Sequence, residues 1–117
     1  VTPQEMAERY GAMLLPTPVV LIIAATAEAF GLTPADLLGK DRSKSIKEAR
    51  LAAYLVARRC TRLSYPELGR AFGKNHTSVH AGVRSMATQC ARDPGLAEMV
   101  GLLVERFGEV EEREREQ

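Results

Sequence analysis

SYPELGRAFGKNHTSVHAGVRSM, running from Ser64 to Met86, has the signs of two short helices joined by a tight turn. Ser64 with Glu67 three residues on forms the capping-box pattern, in which hydroxyl and carboxylate each satisfy a first-turn N–H that no helical carbonyl reaches. Gly73 supplies the left-handed backbone geometry that stops the first helix, and Asn75 caps the second two positions later. That spacing fits a helix-turn-helix corner. Along the second helix Val79, Val83, Met86 and Cys90 share one face, while Thr77, His80 and Arg84 share another. The first face is expected to pack and the second to read a ligand.

Outward from this stretch the charge is segregated. Behind a formal net charge of +1, residues 1–39 carry −3 (one Lys/Arg against four Asp/Glu), residues 40–92 carry +9 (twelve against three) and residues 93–117 carry −5 (three against eight). Ordinary solvated faces would mix the signs. In the middle third only Asp41, Glu48 and Glu67 dilute the cations, which suits a polyanion. A chain of 117 residues has room for one domain that buries a working core without disulfides or metals. Cys60 and Cys90 fall at apolar helical positions, which suits reduced packing thiols and a cytoplasmic location. The most apolar run, Val19 to Ala27, is half the length of about 20 residues that a membrane span needs, and no targeting signal surrounds it. A start at Val1 rather than methionine leaves open a fragment or a processed chain.

In chain order, Thr2, Pro3 and Glu5 open an amphipathic helix through Met6, Tyr10, Met13 and Leu14 to Pro16, so that residues 1–16 stand as an N-terminal helix or linker. Thr17 and Pro18 repeat the start signal, leading through Val19, Leu21, Ile22, Ile23 and Ala27 to Phe30, with Gly31 as the stop. Apolar nearly all round, this helix is expected to be central. Thr33, Pro34 and Asp36 open a brief helix ending at Gly39, and KDRSKS, residues 40–45, is a basic loop. Ser45 with Glu48 forms a further capping box for a long helix to about Thr61. Ile46, Ala49, Ala53, Val56 and Cys60 lie on its packing side, and Lys47, Arg50, Tyr54, Arg58 and Arg62 line another side. Asp93 and Pro94 cap a last helix that packs through Leu96, Val100, Leu103 and Phe107, and residues 109–117 form a charged tail. No strand-length alternation of apolar and polar residues occurs. The expectation is an all-α fold, a compact helical domain of six to seven helices containing a helix-turn-helix, with the helix-turn-helix domain itself at residues 17–108.

Several segments together resemble the C-terminal DNA-binding domain of the bacterial chromosomal replication initiator DnaA: ATAEAFGLTPADLLGKDRSKSI from Ala25 to Ile46, EAR at Arg50, LSYPELGRAFGKNHTSV from Leu63 to Val79, and the helix after Asp93 and Pro94. The resemblance implies sequence-specific binding of double-stranded DNA, with the second helix of the motif in the major groove and an arginine of the basic loop in the minor groove. It implies that Arg42 is that arginine, that Arg50 and Arg58 are basic contacts on the long helix, that Pro66 approaches the DNA backbone, and that Asn75, His76, Thr77 and Ser78 are the reading segment. The chain also departs from the family's pattern. Its turn is one residue shorter, Asn75 replaces an aspartate, Leu51 a glutamine and Ala81 a histidine, with His80 one position earlier. A related site rather than the family's own box is the expectation.

Phosphate neutralisation by Lys44, Arg50, Arg58, Arg62 and Lys74 would supply sequence-independent affinity by displacing condensed counterions. Short polar side chains at Asn75, His76, Thr77, Ser78 and His80 suit base edges and the thymine methyl. His76 and His80 stand four apart, as two metal ligands would, but no glutamate lies between them in HTSVH and no further histidine exists, so no metal site is expected. The Gly73–Lys74 stretch lacks the spacing and the hydroxyl of a phosphate-binding loop. No nucleophile has an evident base partner. The expectation is therefore a DNA-binding module related to replication initiation or its regulation, neither an enzyme nor a cofactor protein. The alternative is an adaptor that binds the replication initiator or another protein through its N-terminal or acidic C-terminal helix, for which nine net positive charges in the middle third would serve no purpose.

Overall fold

The computed structural model describes residues 17–110, and the readings made for residues 1–16 and 111–117 lie outside them. Six helices follow one another: α1 (Thr17–Ala29), α2 (Pro34–Leu38), α3 (Lys44–Cys60), α4 (Tyr65–Phe72), α5 (His76–Arg92) and α6 (Pro94–Phe107), with no strand among the described residues. Local chemistry sets most of their boundaries. Thr33 and Asp36 form a reciprocal capping box at α2, and Ser64 and Glu67 form another at α4, where each backbone N–H finds the other residue's side-chain oxygen. Asn75 Oδ1 accepts the Thr77 N–H at 2.8 Å to start α5, and Asp93 Oδ1 accepts the Leu96 N–H at 3.1 Å to start α6.

The beginning of α3 differs from the sequence expectation. Ser45 and Glu48 do not cap it; the helix begins at Lys44 with Ser43 in the cap position, and the Ser43 side chain makes no cap bond. Asp41 is the reason. Its Oδ1 accepts the Ser43 N–H at 2.7 Å, a local side-chain turn that brings the chain round two residues early, and this bond holds the Asp41 carboxyl below its usual range.

Both α1 and α3 are buried, but it is α3 that packs against all five other helices. Ala49, Ala52, Ala53 and Ala57 let neighbours approach its axis from several directions, so the six residues from Ala52 to Ala57 are all buried. Tyr54, which the sequence placed off the packing side, is therefore buried as well. Tyr54 meets Phe72 of α4 edge to face, with ring centroids 4.8 Å apart, a geometry worth about 0.5–1.5 kcal/mol beyond the area it buries. Leu68 and Phe72 of α4 and Val79 and Met86 of α5 complete this part of the core, each large side chain contributing about 1.5–3 kcal/mol on leaving water.

The turn between α4 and α5 is closed by two backbone bonds. The Gly73 N–H donates to the Arg70 carbonyl and the Lys74 N–H to the Gly69 carbonyl at 2.8 Å, with Gly73 at φ +66°. This is the paired pattern of a Schellman ending. It folds the chain so tightly that a Cβ on Gly69 would lie 2.8 Å from the Lys74 carbonyl oxygen and 3.1 Å from the His76 nitrogen. Both are backbone atoms, so only a shift of the turn itself could make room.

Two outcomes follow from this packing. Gly69→Ala should destabilise the domain by about 1–3 kcal/mol through that clash, although alanine is the better helix former. Gly101→Ala in α6, where an added Cβ meets nothing, should stabilise it by about 0.5–1 kcal/mol. Urea midpoints of the two variants should move in opposite directions from the parent's. The bonds from Ser64 hold the Glu67 carboxyl below its ordinary value of 4.5, so its contribution is present above that pH and lost as pH falls through the lower folded value. Glu67→Gln should accordingly show a shallower decline of Tm below pH 4.5 than the parent, measured by circular dichroism.

Candidate nucleic-acid interface

At the start of α5 the buried side is Val79, Gly82, Val83 and Met86, while Asn75, His76, Thr77, Ser78, His80, Ala81, Arg84 and Ser85 are all exposed. The helix thus presents small polar groups and two imidazoles from its first two turns to solvent. Gly82 brings its axis close to α3: a Cβ there would meet Leu51 and Tyr54 carbons at 2.7 Å. The Asn75 cap fixes where the helix starts, so the exposed residues project from a set origin.

On one flank His80 lies against Tyr65, ring centroids 4.5 Å apart, and the Arg58 guanidinium carbon sits 4.2 Å from the Tyr65 ring centre. Arg58 also donates through Nη1 to the Leu63 carbonyl at 3.2 Å. It is half-buried and braces the approach to α4 while its charge stays close to the exposed face. Pro66, in the first turn of α4, is exposed and shares a shallow groove with Arg70, Lys74, Asn75 and His76. Arg62 is exposed in the link between α3 and α4, and Lys44 is exposed as the first residue of α3.

The other flank is a concavity of about 540 Å³ between the basic loop, α3 and α5. Lys40, Arg42, Lys47, Arg50 and Lys74 line it together with Leu51, Tyr54, Ser78 and Ser85, and no aspartate or glutamate does. Arg50, expected as a contact on the DNA backbone, is only 8 % exposed. Its Nε donates to the Leu37 carbonyl at 2.9 Å, and its Nη2 to the carbonyls of Asp36, Gly39 and Asp41 at 3.0–3.1 Å. These carbonyls belong to the end of α2 and the loop beyond it, where helical partners run out. Lys74 Nζ donates to the same Gly39 carbonyl at 2.6 Å. Burial, and then the nearby charges of Arg50, Lys40 and Arg42, lower the Lys74 pKa.

The sequence singled out neither Lys40, Lys47 nor Ser85 as a site residue. Lys47 lies one helical turn before Arg50, and Ser85 lies two turns after Ser78, so helical spacing from residues already chosen would have found both. Among the described residues no three His, Cys, Asp or Glu side chains gather as a metal site. His76 and His80 are both exposed, the second turned against Tyr65. Cys60 and Cys90 are half-buried and form no disulfide with each other, Cys60 Sγ donating instead to the Val104 carbonyl at 3.6 Å, and no helix among the described residues is long and apolar enough to cross a membrane.

Residues 19–86 match the family described as bacterial dnaA protein helix-turn-helix. The stretch runs from α1 into α5 and so includes both the cation-lined concavity and the exposed start of α5. Similar proteins include the chromosomal replication initiator protein DnaA of Neisseria meningitidis serogroup C, of Neisseria gonorrhoeae and of Neisseria meningitidis serogroup B. Each is 37% identical over 79 residues, which are 67% of this chain and 15% of the relative. A match of this extent, which takes in the helix-turn-helix and its basic loop, means that the chain belongs to the bacterial DnaA helix-turn-helix family.

Proposed function

We propose that this domain binds double-stranded DNA at specific sites, with α5 in the major groove and the loop around Arg42 in the adjacent minor groove, in replication initiation or its regulation. The observation that carries this reading is the concavity lined by five cations and no carboxylate beside the exposed polar start of α5. Like charges gathered this closely repel one another, and a row of phosphates relieves the repulsion while releasing counterions. Lys40, Lys44, Lys47, Arg62 and Arg84 are exposed and serve as phosphate contacts that position the protein. Arg50 acts behind the surface. It holds the loop in place through its four carbonyls, so that Arg42 follows the negative potential of a narrow A/T-rich minor groove.

Base readout falls to His76, Thr77 and Ser78, with Asn75 fixing the origin of the helix and His80 held by Tyr65 at the flank. The Thr77 side chain is uncommitted to the cap, because Asn75 bonds the Thr77 backbone N–H.

Binding to a duplex selected from a random library should weaken with salt at a logarithmic slope of about −4 to −5, from roughly five phosphate contacts at 0.9 each. A slope near zero in fluorescence-anisotropy titrations would exclude a phosphate-driven complex. His76→Ala and Thr77→Ala should each lose about 1–3 kcal/mol of specific binding with little change on nonspecific duplexes. Their melting curves should match the parent's, since both side chains are exposed. Unchanged affinity and preference in both variants would remove α5 as the reading element.

A further inference from the structure

We propose that Lys74 is a positioning residue that latches the basic loop to the turn of the helix-turn-helix, fixing the spacing between Arg42 and the start of α5. The proposal rests on the DNA-binding reading above and adds to it a link between the two reading elements. On the turn side the base of the Lys74 side chain is rigid. Its N–H is bonded to the Gly69 carbonyl, its own carbonyl lies close over Gly69, and the next residue is the Asn75 cap of α5. On the loop side, Gly39 gives its carbonyl both to Lys74 Nζ, 35 residues away in sequence, and to Arg50. One carbonyl oxygen therefore ties the turn, α3 and the loop carrying Arg42 together.

Electrostatics also argues that this contact is specific. The Lys74 ammonium stands among Arg50, Lys40 and Arg42, all of which disfavour its charge. A free lysine side chain would swing away into water, whereas this one is partly buried with a short bond to a carbonyl. Phosphates arriving in the concavity would screen the three neighbouring cations from Lys74, so DNA binding and the latch reinforce each other.

The test compares Lys74→Met, which keeps the length and apolar stem but donates nothing, with Lys74→Arg, which can still donate to Gly39, each alone and combined with Arg42→Ala. In the free protein, backbone 15N order parameters over residues 40–43 should fall in Lys74→Met and recover in Lys74→Arg, at unchanged Tm. On duplexes, Lys74→Met should lose discrimination at the base pairs read by Arg42 by about five- to tenfold, while discrimination at the base pairs read by α5 stays within about twofold of the parent. Adding Arg42→Ala to Lys74→Met should then cost less than about twofold more, because the arginine is already misplaced. Unchanged order parameters in Lys74→Met, or a uniform loss on every duplex that multiplies with the Arg42→Ala loss, would make Lys74 an ordinary phosphate contact and overturn the proposal. If the parent binds no duplex, the function proposed above fails, and the order parameters alone decide whether the latch exists.

Discussion

Arg50 takes a charge that cannot be neutralised into a nearly buried position and spends its donors on the carbonyls of Asp36, Leu37, Gly39 and Asp41. Burying a guanidinium costs several kcal/mol unless acceptors replace water, and each hydrogen bond to a charged group returns about 1.5–3 kcal/mol. The acceptors here are carbonyls left over where α2 ends, carrying the negative end of its dipole. A short helix of five residues thus becomes a fixed platform. Without this anchor, the segment from Gly39 to Ser43 would keep only its own Asp41 turn and the Lys74 bond to the Gly39 carbonyl, against cations that push it away from α3 and α5.

That repulsion is put to use. A fold that gathers Lys40, Arg42, Lys47, Arg50 and Lys74 around one hollow, with no carboxylate in its lining, is less stable for it in isolation. Its lowest-energy partner is a surface with a regular run of negative charge. At Lys74 burial lowers the pKa first, and the nearby charges of Arg50, Lys40 and Arg42 act in the same direction. In the DNA-binding function proposed above, the affinity includes the relief of this repulsion, which a protein with scattered surface charges would not gain.

Much of this was legible in the sequence where the chemistry is local. Caps at Thr33, Ser64, Asn75 and Asp93 depend on residues at most three positions apart, and the left-handed glycines at Gly31 and Gly73 on residues at most five apart, and the structure forms each of them. The exposed and buried faces of α5 follow from helical period alone. The role of Arg50 was not legible, because its partners are backbone carbonyls 9 to 14 residues away and a carbonyl leaves no mark on sequence. Counting cations places every arginine on the surface; only the tertiary path of the loop shows which one is turned inward. The Ser45–Glu48 box failed for a related reason, since Asp41 offered Ser43 a closer bond and started α3 before Ser45 could cap it.

The tightness of the turn between α4 and α5 then determines what Lys74 can reach. With the Lys74 N–H held by the Gly69 carbonyl and its own carbonyl lying close over the same glycine, the direction in which its side chain leaves the backbone is set. A larger residue at position 69 would open the turn, move Lys74 and Asn75 together, and shift the origin of α5 along with the contact to Gly39. The glycine therefore controls two distances at once, that from α4 to α5 and that from α5 to the basic loop. Groove spacing in a duplex is rigid on the scale of a side-chain contact, so both distances have to be right in the free protein if binding is not to cost the ordering of a loop as well.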